Sequence, residues 1–358
     1  MRQVCVVVTA RPSYSRIKTA LEAIKDHPDL GLDVVLAGSA CSMVDEVRQD
    51  GFCPHVVPCL RGKYTHIAMA KTVGTAIDEL AAKFENMEPD IVVTIADRYE
   101  TLATAIAASY LNIPLAHVQG GEHTGSIDDK VRRAITELAD FHFVATNKAD
   151  RVIRRGRWFP DIKGRIFNVG CPSIDLCARV GLDPGVWGTY AMIMLHPVTD
   201  EPEDTAYEGL VQIVRAMENL KMKAYMAPFN IDAGGAGIRN AVYELIGDDH
   251  PLIQVLTPKK PEEFLELVGD SAVLIGNSSM GIRECSWLGV PAINIGRRQQ
   301  GRECAANVLH LPTRAPASVI EGAIRCQQEI GRFPKSELYG DGTAGKQIAE
   351  CLSYVSLG

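Results

Sequence analysis

Short, unbroken apolar runs recur along the first half of the chain: VCVVVTA (4 to 10), LDVVLAG (32 to 38), DIVVTIA (90 to 96), IPLAHV (113 to 118), FHFVAT (141 to 146) and IFNVG (166 to 170). Between them lie longer stretches whose apolar positions return every three or four residues, among them SRIKTALEAIKD, IAMAKTVGTAIDELAAKF and YETLATAIAASYL. Continuous apolar runs of this length predict strands buried on both faces, and the intervening period predicts amphipathic helices that cover them. The alternation is that of a parallel sheet in an α/β domain of Rossmann-like type. A glycine- and proline-punctuated stretch, GLDPGVWGTY (181 to 190), interrupts it and reads as a linker. The rhythm then resumes with AMIMLH (191 to 196), KAYMAP (223 to 228), PLIQVL (251 to 256), SAVLIG (271 to 276) and PAINIG (291 to 296), separated by EGLVQIVRAMENLK, PEEFLELVGD and MGIRECSWLG. Two parallel-sheet domains follow from the pattern, residues 1–180 and 181–341.

Length and composition agree with this division. The 358 residues exceed the usual size of one core, and 46% hydrophobic against 23% charged residues is ordinary for a folded α/β chain. A net charge of -7 argues against a nucleic-acid partner, which calls for a basic face. No apolar run approaches the roughly 18 residues that span a bilayer, so no membrane association and a cytoplasmic location are expected. The 10 cysteines are scattered without a C-x-x-C pair and read as reduced core residues.

Open parallel sheets bind ligands beyond the carboxyl ends of their strands, so the residues just after each run are the candidates for chemistry. Neither domain shows G-x-G-x-x-G or a P-loop after its first strand, which removes support for NAD and P-loop ATP chemistry. After the first strand, TARPSYSRIK places Arg11, Ser13 and Ser15 where a strand turns into a helix and a phosphate can meet hydroxyls, a guanidinium and backbone N–H groups. Asp97 and Arg98 follow the strand ending TIA; the competing account of Asp97 is a helix cap. The stretch HVQGGEHTGSIDD (117 to 129) sets Gly120 and Gly121, Glu122, His123, Asp128 and Asp129 in one loop. Ser126 and Asp129 have capping-box spacing, and the paired glycines allow close backbone approach. Asp97, Glu122 and Asp128 at neighbouring strand ends suit proton transfer at carbon.

In the second half, His196 follows a strand in LHPVTD, and NIDAGG offers Asn230 and Asp232 as a polar wall for a sugar. The sharpest signal is LIGNSSMGIREC (274 to 285), in which Asn277, Ser278 and Ser279 form a strand-to-helix turn with a helix expected from about Met280. A diphosphate would meet hydroxyls and free N–H groups at a positive helix end, with Glu284 in reach of ribose hydroxyls. Arg297, Arg298 and Arg302 follow the next strand and add cations to that edge.

Taken together, T-x-R-x-x-Y-S, DRYET, GGEHTGSIDD, LHPVTD, NIDAGG, GNSSMGIRE, INIGRRQ-x-GRE-x-x-x-NVLH and YGDGTAGK resemble the UDP-N-acetylglucosamine 2-epimerases, in particular their hydrolysing branch, which feeds sialic and related nonulosonic acid biosynthesis. The resemblance spans nearly the whole chain. It implies α/β GT-B architecture, with two Rossmann-like domains facing a cleft, a helix in 342–356 packing back on the first domain, and nucleotide held mainly by the second. It implies nucleotide contacts at Arg11, Ser15, His196, Ser278, Ser279, Glu284 and Arg298, and proton transfer at Asp97, with Arg98 beside it, and Asp128; the strand-end reading adds Gln119, Asn230 and Asn277 as binding candidates and Glu122 and His196 as catalytic ones. A UDP-sugar is the implied partner, with no cofactor and no metal, in a homodimer or homotetramer. The implied reaction removes the C2 proton of UDP-N-acetylglucosamine, expels UDP through a 2-acetamidoglucal, and adds water to give N-acetylmannosamine. Gln119 departs from H-x-E-G-G-E, where relatives place a glutamate, and Ser13 departs from R-A-[DE]-Y. Alternatives are the same chemistry on UDP-N,N'-diacetylbacillosamine, a non-hydrolysing epimerase, a GT-B glycosyltransferase, and a nucleotide-sugar sensor without turnover.

Overall fold

A computed structural model describes residues 1–63, 65–124, 127–156, 165–180, 188–198, 201–228 and 233–357. Each apolar run named above forms a strand. The first sheet contains β1 (Arg2–Val8), β2 (Leu30–Ala37), β3 (Pro54–Val57), β4 (Ile91–Ile95), β5 (Leu115–Val118), β6 (Phe141–Val144) and β7 (Ile166–Asn168), in the order β3-β2-β1-β4-β5-β6-β7. The second contains β8 (Ala191–Met194), β9 (Ala224–Met226), β10 (Ile253–Val255), β11 (Val273–Gly276), β12 (Ala292–Ile295) and β13 (Val308–Leu311), in the order β10-β9-β8-β11-β12-β13. All pairings are parallel, with Val4 opposite Ile91 in the first sheet and Gly276 opposite Met194 in the second. The expected pair of parallel-sheet α/β domains is therefore present. In each sheet the strand order reverses once, between β1 and β4 and between β8 and β11. Those are the two places where neighbouring connections leave in opposite directions and open a crevice.

The central strands are apolar because helices cover both faces. Val4, Val6, Val8, Ile91, Val93 and Ile95 belong to one core on one face of the first sheet, and Cys5, Val7 and Val92 to another on the opposite face. Two of the four edge strands, β3 and β13, carry no such signature. In β3 and β13 most side chains are only half-buried or exposed, so neither has a continuous apolar run to read. Pro54 is tolerated because β3 is an edge.

Two helices differ from expectation. The segment 15 to 26 is split into Arg11–Ser15 and Lys18–Asp26, with Arg16 and Ile17 between them. Instead of one helix from Met280, a 3₁₀ turn at Ser279–Gly281 precedes a short helix at Glu284–Leu288. Near its end the chain returns to the first sheet. Ile348, Ala349 and Leu352 of the helix Ala344–Tyr354 join the core that contains β1. Asp175, on the helix Pro172–Arg179, accepts hydrogen bonds from the backbone N–H groups of Ala344 (3.0 Å) and Gly345 (2.7 Å) and so caps that helix. A side chain at 345 would lie 2.5 Å from the Thr19 carbonyl carbon, so glycine is needed for the close approach. Among the described residues no helix is long and apolar enough to cross a membrane.

Candidate active site between the two sheets

A cavity of about 440 Å³ opens at the two switch points. The first sheet contributes Arg11, Ser15, Asp97, Arg98 and Asp128 to its wall, and the second contributes His196, Ser278, Ser279, Glu284 and Arg298. Arg16 and Arg283 line it as well.

On the first-sheet side the backbone is strained where the chain leaves the strands. Ala96 (φ 68°) and Gln119 (φ 66°) sit in the left-handed region, which costs a non-glycine residue about 1–2 kcal/mol. Both are held by the sheet itself. The Ala96 N–H donates to the Val118 carbonyl (2.9 Å), and the Gln119 N–H to Phe143 (2.8 Å). His117 completes the support. Its Nε2 lies 2.8 Å from the Ala96 carbonyl, which can only accept, so Nε2 carries the proton and Nδ1 is left to face the Thr136 hydroxyl at 3.2 Å. Burial and the neighbouring Arg132 lower the His117 pKa to about 4, opposed by the Ala96 bond, and the ring stays neutral.

Asp97, aimed by that turn, pairs with Arg132 and lies 3.9 Å from Arg302. Burial works to raise its pKa, but Arg132, Arg302, Arg16 and Arg298 prevail and hold the carboxyl well below the usual carboxylate range. Arg132, only 2% exposed, also donates to the Glu122 carbonyl (2.8 Å) and reaches Asp129 (3.4 Å). Glu122 faces Arg302 at 3.0 Å. Burial again opposes ionisation, and Arg302, Arg283 and Arg132 overcome it, so its pKa is lowered. Arg98 forms a two-pronged pair with the fully buried Glu100, at 3.1 Å on each prong.

On the second-sheet side hydroxyls and an imidazole stand beside Arg283, Glu284 and Arg298. Asn277 bonds the His196 backbone twice, accepting its N–H and donating to its carbonyl, both at 2.8 Å. Gly276 (φ 143°) makes this possible, because a Cβ there would lie 2.1 Å from the Met194 oxygen. Ser278 caps the 3₁₀ turn through the Met280 N–H (3.3 Å). Ser279 accepts from Arg283 (2.6 Å) and from Arg16 of the other domain (3.3 Å). Burial and the facing Arg283 push the Arg16 pKa down to about 10. Glu284, 4% exposed, opens the helix that follows, and Arg298 donates to the Asn277 carbonyl (3.2 Å).

This arrangement sets an ionised carboxylate and a second aspartate opposite hydroxyls and guanidinium groups, across a cleft roomy enough for a nucleotide sugar. The profile of the UDP-N-acetylglucosamine 2-epimerase family matches residues 22–353. The chain belongs to that family. The UDP-N,N'-diacetylbacillosamine 2-epimerase (hydrolyzing) of Legionella pneumophila is 30% identical over 377 aligned positions, covering 100% of this chain and 97% of that protein. The GDP/UDP-N,N'-diacetylbacillosamine 2-epimerase (hydrolyzing) of Campylobacter jejuni is 26% identical over 86% of this chain and 84% of its own. The crystal structure of the UDP-GlcNAc 2-epimerase from Neisseria meningitidis, bound to UDP-GlcNAc, superposes with a TM-score of 0.80 at 16% identity, covering 98% and 99% of the two chains. That likeness establishes the shared GT-B-like fold. The protein is thus a UDP-sugar 2-epimerase by family.

Within this epimerase the geometry revises several expectations. Glu122 does not line the cavity; it lies behind Asp97 in the ion-pair network. Gln119 is likewise buried away from it, accepting from Arg283 (3.1 Å) and donating to the Cys171 sulfur (2.6 Å). Asn277 spends its side chain on the His196 backbone and contributes nothing to the wall of the main cavity. Gly120 and Gly121 admit protein rather than ligand, since side chains there would strike His117 Nδ1 (2.9 Å) and the Ala149 carbonyl oxygen (2.5 Å). Asp129 accepts from the Thr124 N–H (2.6 Å) and hydroxyl (2.8 Å). The three arginines after β12 part company: Arg297 pairs with Glu201 (2.8 Å), Arg298 faces the cavity and Arg302 turns to the first domain. Asn230, Asp232 and Ser126 lie outside the described residues. Sequence reasoning missed Arg16, Arg132 and Arg283. The clue to Arg283 was its place four residues after Ser279, one helical turn away.

Proposed function

We propose that this protein is a hydrolysing 2-epimerase of a UDP-linked 2-acetamido sugar, acting on UDP-N,N'-diacetylbacillosamine ahead of the UDP-N-acetylglucosamine implied by the sequence resemblance. One observation carries the 2-epimerase chemistry: two aspartates of the first domain, Asp97 and Asp128, share a cavity wall with the hydroxyl and guanidinium edge of the second. The choice of sugar, and of hydrolysis, rests on the two diacetylbacillosamine 2-epimerase relatives, both hydrolysing. In this reading residues 1–180, with 342–356 packed back, form the sugar side and 181–341 the nucleotide side.

The substrate's diphosphate lies against Ser278, Ser279 and Arg298, with Arg11, Ser15 and Arg16 closing from the first domain and Glu284 at the ribose. His196, whose backbone Asn277 fixes, presents its ring to the same cavity. Asp128 takes the C2 proton, the C1–O bond breaks, and UDP departs with its growing charge met by the cations. The glycal that remains gains water, hydroxyl at C1 and a proton on the opposite face of C2. UDP-sugar and one water thus become the free 2-epimer and UDP. Asp97, kept ionised by four arginines, is a weak proton acceptor; its task is electrostatic, with Arg98 beside it. Gln119 carries no proton, consistent with its amide and its place off the cavity.

A proton NMR time course in D2O with each UDP-sugar tests this. Free 2-epimer carrying deuterium at C2, with UDP released, is the expected product from UDP-N,N'-diacetylbacillosamine. Faster consumption of UDP-N-acetylglucosamine would return the substrate to that sugar. A 2-epimer still bearing UDP would replace hydrolysis by non-hydrolysing epimerisation, and inertness toward both sugars would overturn the reading.

A further inference from the structure

Arg302 belongs to the second domain, yet its guanidinium is buried among the carboxylates of the first. Its side chain is 5% exposed, Glu122 beside it 5% and Asp97 13%. Neither oxygen of Glu122 accepts a hydrogen bond among the described residues, so this buried carboxylate is held by charge. Arg302 also looks back to its own domain. Its Nη1 donates to the Gln299 Oε1 (2.9 Å), the Gln299 Nε2 donates to the Asn277 carbonyl (2.8 Å), and the Asn277 side chain clasps the His196 backbone. One path of polar contacts therefore runs from the turn carrying Ser278 and Ser279 to the carboxylates across the cleft.

We propose that Arg302 is a positioning residue for the elimination step, holding Asp97 and Glu122 of the first domain in register with the nucleotide-binding turn of the second. The proposal rests on the epimerase reading above. Arg302 does not itself line the cavity, in contrast to Arg298, and reaches it only through Asp97. It acts through Asp97: with Arg302 withdrawn, Glu122 loses its nearest cation and the like charges of Asp97 and Glu122 face each other with one guanidinium fewer between them. The loop carrying Arg302 does not depend on it for docking. Lys148 Nζ donates to the Gly301 carbonyl (2.8 Å), the Thr146 hydroxyl donates to Glu303 (2.5 Å), and the Tyr339 hydroxyl donates to the Glu303 carbonyl (2.7 Å). Substitution at 302 thus tests alignment rather than assembly of the loop.

The experiment compares full-length wild type, Arg302→Gln, Arg302→Lys and Gln299→Leu by kcat and KM on the UDP-sugar and by calorimetric affinity for UDP. Arg302→Gln is expected to lose about 100-fold in kcat while UDP affinity stays within about threefold, because misplacement of a reacting group costs rate rather than binding. Arg302→Lys, which restores the charge, recovers about tenfold of that loss. Gln299→Leu, which keeps the charge but cuts the link to Asn277, loses about fivefold in kcat. A kcat for Arg302→Gln within about threefold of wild type overturns the proposal. So does a fall in UDP affinity that parallels the fall in kcat, which would make Arg302 a nucleotide contact. Should Arg302→Gln not fold, Gln299→Leu decides, and wild-type turnover in that variant rejects the link. A wild type inert on both UDP-sugars removes the epimerase reading and this role together; an active wild type with unaffected variants removes this role alone.

Discussion

The two switch points solve opposite problems. At the ends of β4 and β5 the chain turns through strained non-glycine residues, Ala96 and Gln119, and buries Asp97, Glu122 and Arg132 in a network of full charges. At the ends of β8 and β11 it turns through Gly276 and Asn277, and the groups it offers to the cavity are the Ser278 and Ser279 hydroxyls and the His196 ring, beside Arg283, Glu284 and Arg298. Charged groups inside a low-dielectric wall act strongly on a reacting centre but demand exact partners. Neutral donors on a rigid turn bind an anion with little reorganisation. The contrast assigns chemistry to the first edge and recognition to the second, in line with the proposed function.

The sharpest break of this contrast is Asp128→Asn together with Asp97→Asn, tested separately. Each is expected to reduce turnover by about 10³-fold or more, while calorimetric UDP affinity stays within about threefold of wild type. Persistent turnover in either variant would remove that aspartate from the chemistry. Next in size, Gly276→Ala forces a Cβ to 2.1 Å from the Met194 oxygen at a φ of 143°. A loss of about 3 kcal/mol in urea unfolding is expected, with the UDP site damaged in the folded fraction. An unchanged midpoint would show that the β8–β11 turn is not rigid. Arg298→Ala addresses recognition first: UDP affinity is expected to fall about 30-fold with a smaller change in kcat, since Asp97 keeps its other arginines. A pure kcat effect would move Arg298 to the chemical side of the comparison.

The smallest effect is the pH response of His117. Its folded pKa of about 4 lies below the unfolded value of about 6.5, so below pH 6.5 the unfolded chain binds the proton more readily and stability falls until both states are protonated near pH 4. Lowering the pH from 7.5 to 5.5 is expected to cost about 1 kcal/mol through this ring. Imidazole NMR provides the direct check, since a midpoint near 6.5 in the folded protein would mean that His117 does not brace the Ala96 turn.

Much of this was readable before any coordinates. Continuous apolar runs mark strands, most clearly those covered on both faces, and the eleven runs quoted above each became strands, the edges β7 and β10 included, while the half-exposed β3 and β13 left no run to see. Polar residues directly after those runs, Asp97, His196, Ser278 and Ser279 among them, reached one cavity because parallel strands deliver all their carboxyl ends to one edge. Direction within that edge was not readable. Glu122, Gln119 and Asn277 have the right residue types at the right strand ends, yet their side chains are taken up by Arg302, by Arg283 and Cys171, and by the His196 backbone. Arg16 and Arg132 carry no local periodicity that would mark them, and Arg302, though marked as a cation after β12, gave no sign that it crosses to the first domain, because the partners that fix them come from distant segments or from the other domain. Which strand ends face the cleft is a local property of the chain. Which side chain there remains available to a ligand depends on long-range pairing, and only the folded packing of both domains decides it.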